Sequence, residues 1–367
     1  MALPKLLWDS GTAYDMFVSL NVIHEPAVFG LRSAWAAGMR ARLPVKNRET
    51  LEQSKLLFKV PFHWINTLPD PKDSFTVLYV LRQIPPGERL HVLAIDPDKS
   101  SEVVETLKGI TKRGKWNEKE QKFLKAAYTE ECDKKKKSPL STKELLNILG
   151  LWANAEEFGE RYLEALRTYH EVFFATEEKR ISPALQGALS NAQKLSEQLE
   201  LPDLLQELSQ GLRFTELPKA AEFVLAPSYW CTPLMYYGKA SVKRWIFLFG
   251  AKPQDESLIP GEDVPDALLR ALKALSDPTR LSILHYLIEK PLTQSQLSRR
   301  LCLRTPTVIH HLKILRLAGL VQLTLGIEEG GKVKRYAARS DAVEAAFTSL
   351  KGFLEKGKIK NADSNFK

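Results

Sequence analysis

The chain has 367 residues, of which 44% are hydrophobic and 26% charged, and its formal net charge is +9. This length favours two or three domains, and the composition is typical of a soluble globular protein rather than a disordered one. We expect neither a signal peptide nor a membrane span, because no window approaches about 18 uninterrupted apolar residues. The three cysteines stand far apart, which argues against a disulfide framework or a thiolate metal cluster and favours a reducing, cytoplasmic location.

The first 250 residues predict a mainly helical domain. Proline punctuation and helical periodicity predict two helices within residues 12–43, divided at Pro26, and shorter helices at 47–59 and 73–82. A long amphipathic helix is predicted over residues 152–180, and its apolar stripe is typical of a core rather than of a cofactor site. The stripe consists of Trp152, Phe158, Tyr162, Leu166, Tyr169 and Phe173.

Strand-forming residues become frequent after residue 212. Residues 221–228 and 242–250 predict two strands of a small antiparallel sheet that closes the N-terminal domain. The aromatic side chains of this region could line a ligand pocket, but a core position is the favoured interpretation. They are Tyr229, Trp230, Tyr236, Tyr237 and Trp245.

A polar segment with prolines and a glycine, residues 251–262, predicts a linker. It divides an N-terminal domain (1–250) from a C-terminal domain (263–357), which a basic disordered tail (358–367) follows. The lysine run at 134–137 is interpreted as a solvated helix end, with RNA binding as a weaker alternative.

The C-terminal domain begins with strong helix signals. Asp277 and Pro278 predict the N-cap and the first turn of a helix, and Thr293 with Gln296 forms a capping box that opens the next one. The three residues 302–304 then have the length of the tight turn between two crossed helices. Residues 279–339 hold 11 basic and 3 acidic side chains, a distribution expected for contacts with a phosphate backbone.

The helix after this turn is the predicted recognition helix. Thr305 and Pro306 are predicted as its N-cap and first residue, and Gly319 as the glycine that ends it. At about 100° per residue, one side of this helix is apolar and packs inward. The opposite side predicts the groove face, and it carries Pro306, His310 and Lys313, flanked by Thr307, Ile309 and Ile314. We expect Thr307, His310 and Lys313 near base edges or phosphates.

Two alternating segments, 320–327 and 332–338, predict a hairpin around Gly330 and Gly331, which would form the wing. Its return strand carries three cations within reach of phosphates, while Glu328 and Glu329 would oppose deep insertion between DNA strands. Backbone contacts are expected from Arg299, Arg300, Arg304, Lys332, Lys334 and Arg335, and Thr305 is also expected to contact DNA. Residues 341–354 place apolar side chains along one helical stripe that needs a partner surface.

The segments ALSDPTRLSILHYL and LSRRLCLRTPTVIHHLKILRLAGLV resemble the winged helix-turn-helix of ArsR-family bacterial transcriptional regulators. The resemblance covers roughly residues 264–340 and implies a homodimer bound to operator DNA, with helices 264–275 and 341–355 at the dimer interface. It departs from the family at Ile309, where a small polar residue is frequent, and at Cys302, where glycine is. We interpret Cys302 as a small buried substitution rather than a sensor thiol.

The ligands of metal-sensing relatives, paired cysteines or acidic and histidine residues, have no counterpart here, so we expect no metal site and no cofactor. The N-terminal part resembles, near residues 8–43 and 223–250, a helical accessory domain of uncertain function that precedes ArsR-type units. It lacks nucleotide, zinc-protease and hydrolase signatures, so no enzymatic activity is expected.

The sequence therefore predicts a mainly α protein that acts as a DNA-binding transcriptional regulator, a homodimer that does not sense metal. An unidentified small-molecule effector could act through the N-terminal domain. The alternative is an N-terminal domain that binds or transforms a small molecule, with the winged helix as a docking module for proteins.

Overall fold

The computed structural model describes residues 4–134, 138–214, 217, 220–261, 263–328 and 331–364. Helices dominate the chain, as the sequence predicted, and among the described residues none is long and apolar enough to span a membrane. Those before residue 210 are α1 (Thr12–His24), α2 (Ser33–Ala41), α3 (Val45–Ser54), α4 (Phe62–Ile65), α5 (Ser74–Gln83), α6 (Pro86–Ala94), α7 (Ser101–Arg113), α8 (Glu118–Lys134), α9 (Thr142–Ala153), α10 (Ala155–Tyr169), α11 (Ala175–Ser196) and α12 (Leu201–Leu208).

The long helix predicted over residues 152–180 is divided in the structure. Asn154 has a non-helical backbone conformation between α9 and α10, and its side-chain amide donates to the carbonyl of Gly150 at 2.9 Å. A π-helical segment, His170–Phe174, then leads into α11. The core prediction is confirmed, because all six stripe residues are at most 7% exposed. Hydrophobic periodicity placed the buried face but could not reveal the local break.

Close packing of α6 against α10 depends on Gly159. A Cβ at this position would overlap the backbone carbonyl of Pro86, so only glycine permits the approach. The buried Arg89 side chain bridges the same crossing, since it donates to the carbonyls of Leu81 at 3.0 Å and Gly159 at 3.2 Å. The crossing therefore holds a buried guanidinium whose hydrogen bonds are satisfied by helix and loop carbonyls.

Eight strands form two four-stranded sheets. They are β1 (Lys5–Trp8), β2 (Leu212–Phe214), β3 (Glu222–Ser228), β4 (Tyr236–Ser241), β5 (Arg244–Gly250), β6 (Leu292–Thr293), β7 (Val321–Glu328) and β8 (Gly331–Ala338). The first sheet has the order β1-β3-β5-β4 and the second the order β2-β7-β8-β6.

The first sheet corrects the predicted antiparallel arrangement. β1 and β5 both run parallel to β3, and β4 alone is antiparallel to its neighbour, β5. The prediction treated the segments now called β3 and β5 as strands of one antiparallel sheet. Instead, the connection between them contains β4, which pairs on the far side of β5 and leaves β3 and β5 parallel.

The two faces of this sheet belong to different hydrophobic cores. Ile246 and Leu248 of β5 point toward the N-terminal helices, whereas Phe247 and Phe249 point toward the C-terminal domain, and all four are at most 1% exposed. Phe247 packs against Phe214 and three other rings, with centroids 5.1 to 6.2 Å away. The sheet therefore lies between the two cores and contributes side chains to each.

The C-terminal domain has the predicted winged-helix elements. Its helices are α13 (Asp266–Leu275), α14 (Pro278–Glu289), α15 (Gln294–Leu301), α16 (Thr305–Leu317) and α17 (Ser340–Ser364). α17 extends beyond 357, into the segment predicted to be a disordered tail, and 365–367 lie outside the described residues.

An additional strand joins the wing sheet from outside this domain. β2 pairs in parallel with β7, in the register Leu212↔Leu323 to Phe214↔Leu325. Leu212 and Phe214 are buried in the same core as the inward side chains of α14, α15 and α16. The winged helix thus packs on the N-terminal part through a continuous apolar contact. Residues 257–259, within the segment predicted as a linker, are also buried.

Candidate nucleic-acid interface

Local capping fixes the helices that precede the recognition helix. The Asp277 carboxylate accepts the backbone N–H of Arg280 at 2.9 Å and caps α14. Thr293 and Gln296 form the predicted capping box of α15, with bonds of 2.8 and 3.3 Å. These hydrogen bonds confirm both predicted caps. The caps were predictable because their partners lie three residues apart and need no tertiary contact.

Cys302 ends α15 in the left-handed conformation, with φ 53°. It is exposed, so the interpretation as a buried substitution was wrong. A left-handed turn favours glycine because a Cβ is strained there. This explains why glycine is frequent at the position in the family that the sequence resembles.

The recognition helix α16 begins one residue earlier than predicted. Arg304 has extended backbone angles and occupies the N-cap, so Thr305 and Pro306 are the first and second helical residues. The predicted N-cap at Thr305 is corrected, although the proline remains in the first turn, where its missing N–H costs no hydrogen bond. Gly319, with φ 73°, follows the helix as predicted.

The two sides of α16 are those derived from the sequence. Val308, Leu312 and Leu315 are at most 1% exposed and pack into the core of the C-terminal domain. The opposite side is exposed at five of the six positions proposed for the groove face, whereas Ile314 is partly buried against the core. The exposed positions are Pro306, Thr307, Ile309, His310 and Lys313, and 43% of the surface of Ile309 is accessible.

The adjacent histidines serve different surroundings. The His310 ring is exposed, whereas His311 is partly buried with Nδ1 4.0 Å from the Asp277 carboxylate. Burial, the largest cause, lowers the pKa of His311 below its usual value. Their ring planes are inclined at 68°, and within the described part of the chain no group of three or more His, Cys, Asp or Glu could hold a metal ion.

Three arginines precede α16, two in the last turn of α15 and one at the N-cap of α16. Arg299 and Arg304 are exposed to solvent. Arg300 is also exposed, but its guanidinium lies 5.3 Å from the centre of the Tyr286 ring and 3.8 Å from the Glu289 carboxylate. Binding a phosphate through Arg300 would therefore compete with an existing ion pair.

The cations of the wing are divided between its two faces. Lys334 is opposite Leu325, and the next residue, Arg335, is opposite Thr324, so these two side chains leave opposite sides of the sheet. Lys334 is exposed and Arg335 partly buried. The side chains of Glu328 and Lys332, and the whole of Glu329 and Gly330, lie outside the described residues.

Sequence reasoning missed a basic residue on the face of the wing sheet that carries Arg335. Arg213 of β2 is exposed and shares a cross-strand row with Thr324 and Arg335. The alternation of Leu212, Arg213 and Phe214 was a local signal for a strand, but only the pairing with β7 brings the arginine to the wing.

The core position predicted for five aromatic residues holds for Tyr229 and Trp230 but is wrong for Tyr237, which is 46% exposed, while Tyr236 and Trp245 are partly buried. Tyr229 and Trp230 are fully buried, and Trp230 stacks on Trp35 with centroids 5.9 Å apart. The adjacent Asp15 is also fully buried and accepts from Ser228 Oγ and the Trp230 N–H, both at 2.8 Å. Burial raises the pKa of Asp15 to about 7.

Comparison with known families applies to the helical part of this interface. Residues 277–322 match the family model "Bacterial regulatory protein, arsR family". The match spans α14, α15 and α16 and ends at the start of β7, so it contains the capped helices and the exposed face described above. The rest of the wing and the N-terminal part lie outside the matched arsR-family segment. A search of curated proteins found no match to the chain.

Proposed function

We propose that the protein is a sequence-specific, DNA-binding transcriptional regulator that inserts α16 into the major groove. The observation that carries this proposal is the exposed face of α16 within the arsR-family segment. Its small polar, apolar and basic side chains suit both base edges and phosphates. Arg299, Arg304 and Lys334 add exposed positive charge to the same domain.

We further propose a homodimer formed through α13 and α17. These helices contact each other, and α17 leaves Phe347 and Leu354 57% and 59% exposed. Large apolar side chains on one helix favour burial against a second copy, which would place two recognition helices on one duplex. The Phe347→Glu variant should fail to dimerise, and sedimentation velocity should then report a monomer where the unchanged protein is a dimer.

The regulator proposed here neither senses metal nor catalyses a reaction, and its DNA partner accords with the cytoplasmic location expected from the sequence. A small-molecule signal would instead enter through the N-terminal part.

Fluorescence anisotropy with the gene's own upstream DNA and an unrelated duplex tests the proposal. The full chain should prefer one sequence, and His310→Ala should alter that preference. Lys334→Ala should weaken both complexes and reduce the slope of log K against log salt by about 0.9, the value for one phosphate contact. Lys122→Ala, which removes an exposed lysine of α8 (side chain 82% exposed), is the matched control and should change neither quantity.

No binding to either duplex at low salt would reject DNA recognition and favour the use of the winged helix as a protein-docking module. An unchanged salt slope in Lys334→Ala would remove this residue from the interface.

A further inference from the structure

A cavity of about 340 Å³ lies where the N-terminal part meets α13 and α17. Thr232 and Lys252 line it from the N-terminal side, and Arg270 and Ala271 line it from α13. Its size is at the lower end of the range for small-molecule sites. The position matters because α13 and α17 are the helices proposed to form the dimer.

Two buried side chains in this cavity have polar atoms without hydrogen-bond partners. Arg270 is 8% exposed, and its Nε and Nη1 donate to no acceptor among the described residues. Thr232 is 4% exposed, and its Oγ1 is also unpartnered within that part of the chain. Leaving buried donors unsatisfied costs free energy, so such groups usually have a ligand, an ion or water in the functional state.

The buried charges around the cavity do not balance. Asp266 accepts from Ser257 Oγ at 2.8 Å and lies 3.5 Å from Lys252 Nζ and 3.7 Å from Arg270 Nη1. One carboxylate thus faces two buried cations. Lys252 also donates to backbone carbonyls of Pro253 and Glu256, so its hydrogen bonds are already used. The unused positive donors belong to Arg270.

The remaining wall is mixed, with polar side chains such as Glu207, Gln254 and Ser349 beside small apolar ones. Alanines line the floor from both dimer helices, and they leave room for an apolar group beside the charged end. These are Ala267, Ala271, Ala342, Ala345 and Ala346. At the rim, Arg339 is engaged by Asp341 at 3.2 Å and by the Gln210 carbonyl at 3.1 Å, so it does not compete for a ligand held deeper inside.

We propose that this cavity binds a small organic carboxylate. The carboxylate accepts from Arg270 and from the Thr232 hydroxyl, and its apolar body lies on the alanines of α13 and α17. A monoanion neutralises the excess cation of the Lys252, Asp266 and Arg270 group, and a guanidinium is the preferred partner of a carboxylate. Insofar as the ligand is an effector of DNA binding, the inference rests on the proposed function, because it bridges the N-terminal part and the dimer helices.

Calorimetric titration of the full chain tests binding without reference to DNA. Benzoate, butyrate and acetate are the probes, and benzamide is the neutral match of benzoate. At least one carboxylate should bind, and benzoate should bind at least tenfold more tightly than benzamide. Inorganic phosphate distinguishes a carboxylate site from a general anion site, and tighter binding of phosphate than of every carboxylate would overturn the proposal.

Two variants connect the binding to these residues. Arg270→Gln should weaken binding at least tenfold, and Thr232→Val, which keeps the shape of the side chain, should weaken it severalfold. Thr50→Val is the control, because Thr50 is equally buried in α3 but its hydroxyl donates to the Lys46 carbonyl. Absence of binding by all three carboxylates, or unchanged affinity in a folded Thr232→Val protein, would overturn the proposal. If a carboxylate binds but leaves the affinity of the protein for DNA unchanged, the site stands and only its role as an effector site is rejected.

Discussion

Truncation of Phe247 to alanine tests whether the winged helix and the N-terminal part unfold as one unit. The ring is fully buried on the face of β5 that meets the C-terminal domain, among the rings of Phe214, Phe223, Tyr237 and Trp245. A Phe→Ala change in a core costs about 3–5 kcal/mol. Since every 1.4 kcal/mol is about tenfold in an equilibrium constant, the population of open molecules should rise by roughly 10² to 4 × 10³.

Amide hydrogen exchange detects this opening residue by residue. We expect faster exchange in β5 and also in α14 and α16, because their inward side chains share the core of Phe247. The matched control is Leu248→Ala, which removes an equally buried side chain from the opposite face of the same strand. If the amides of the winged helix keep their wild-type protection in Phe247→Ala, the two parts unfold independently and the shared core does not couple them.

Two further predictions concern the N-terminal part. Asp15→Asn should remove a pH dependence, because the pKa of this buried carboxyl is about 7, well above its unfolded value. As the pH rises from about 4 to 7, the free energy of unfolding of the wild type should fall on the order of 4 kcal/mol. Denaturant titrations should show a flatter pH profile in the variant. An equal slope in both proteins would contradict the burial of the charge. Gly159→Ala should destabilise the protein by about 1–3 kcal/mol through overlap with Pro86. Gly187→Ala, at a helical site with free space, should stabilise it by about 0.5–1 kcal/mol. Thermal unfolding measures both changes, and similar effects of the two would reject close packing at Gly159.

Features encoded by neighbouring residues were predictable from the sequence. The caps at Asp277 and Thr293 and the two sides of α16 follow from contacts within three or four positions along the chain, and the structure confirms them. The break at Asn154 escaped prediction because the apolar period continues on both sides of it.

Features that depend on distant pairing were not predictable. β2 is a three-residue strand whose place is set by β7, far later in the chain, and nothing near Arg213 indicates that partner. The mixed first sheet was missed for the same reason, since the order of β3, β4 and β5 in space differs from their order in sequence. The carboxylate site likewise arises only where α13 meets the N-terminal part, because Arg270 alone resembles any helical arginine.

The pairing of β2 with β7 restricts how the wing can move. Strand β7 is held by β8 on one side and, at Leu323 to Leu325, by β2 on the other, so neither edge of its root is free to slide or change register. A wing anchored in this way adapts to a duplex only beyond Leu325. The conformational entropy lost on contact with DNA is then confined to the outer part of the hairpin, and the root reaches the phosphates already ordered.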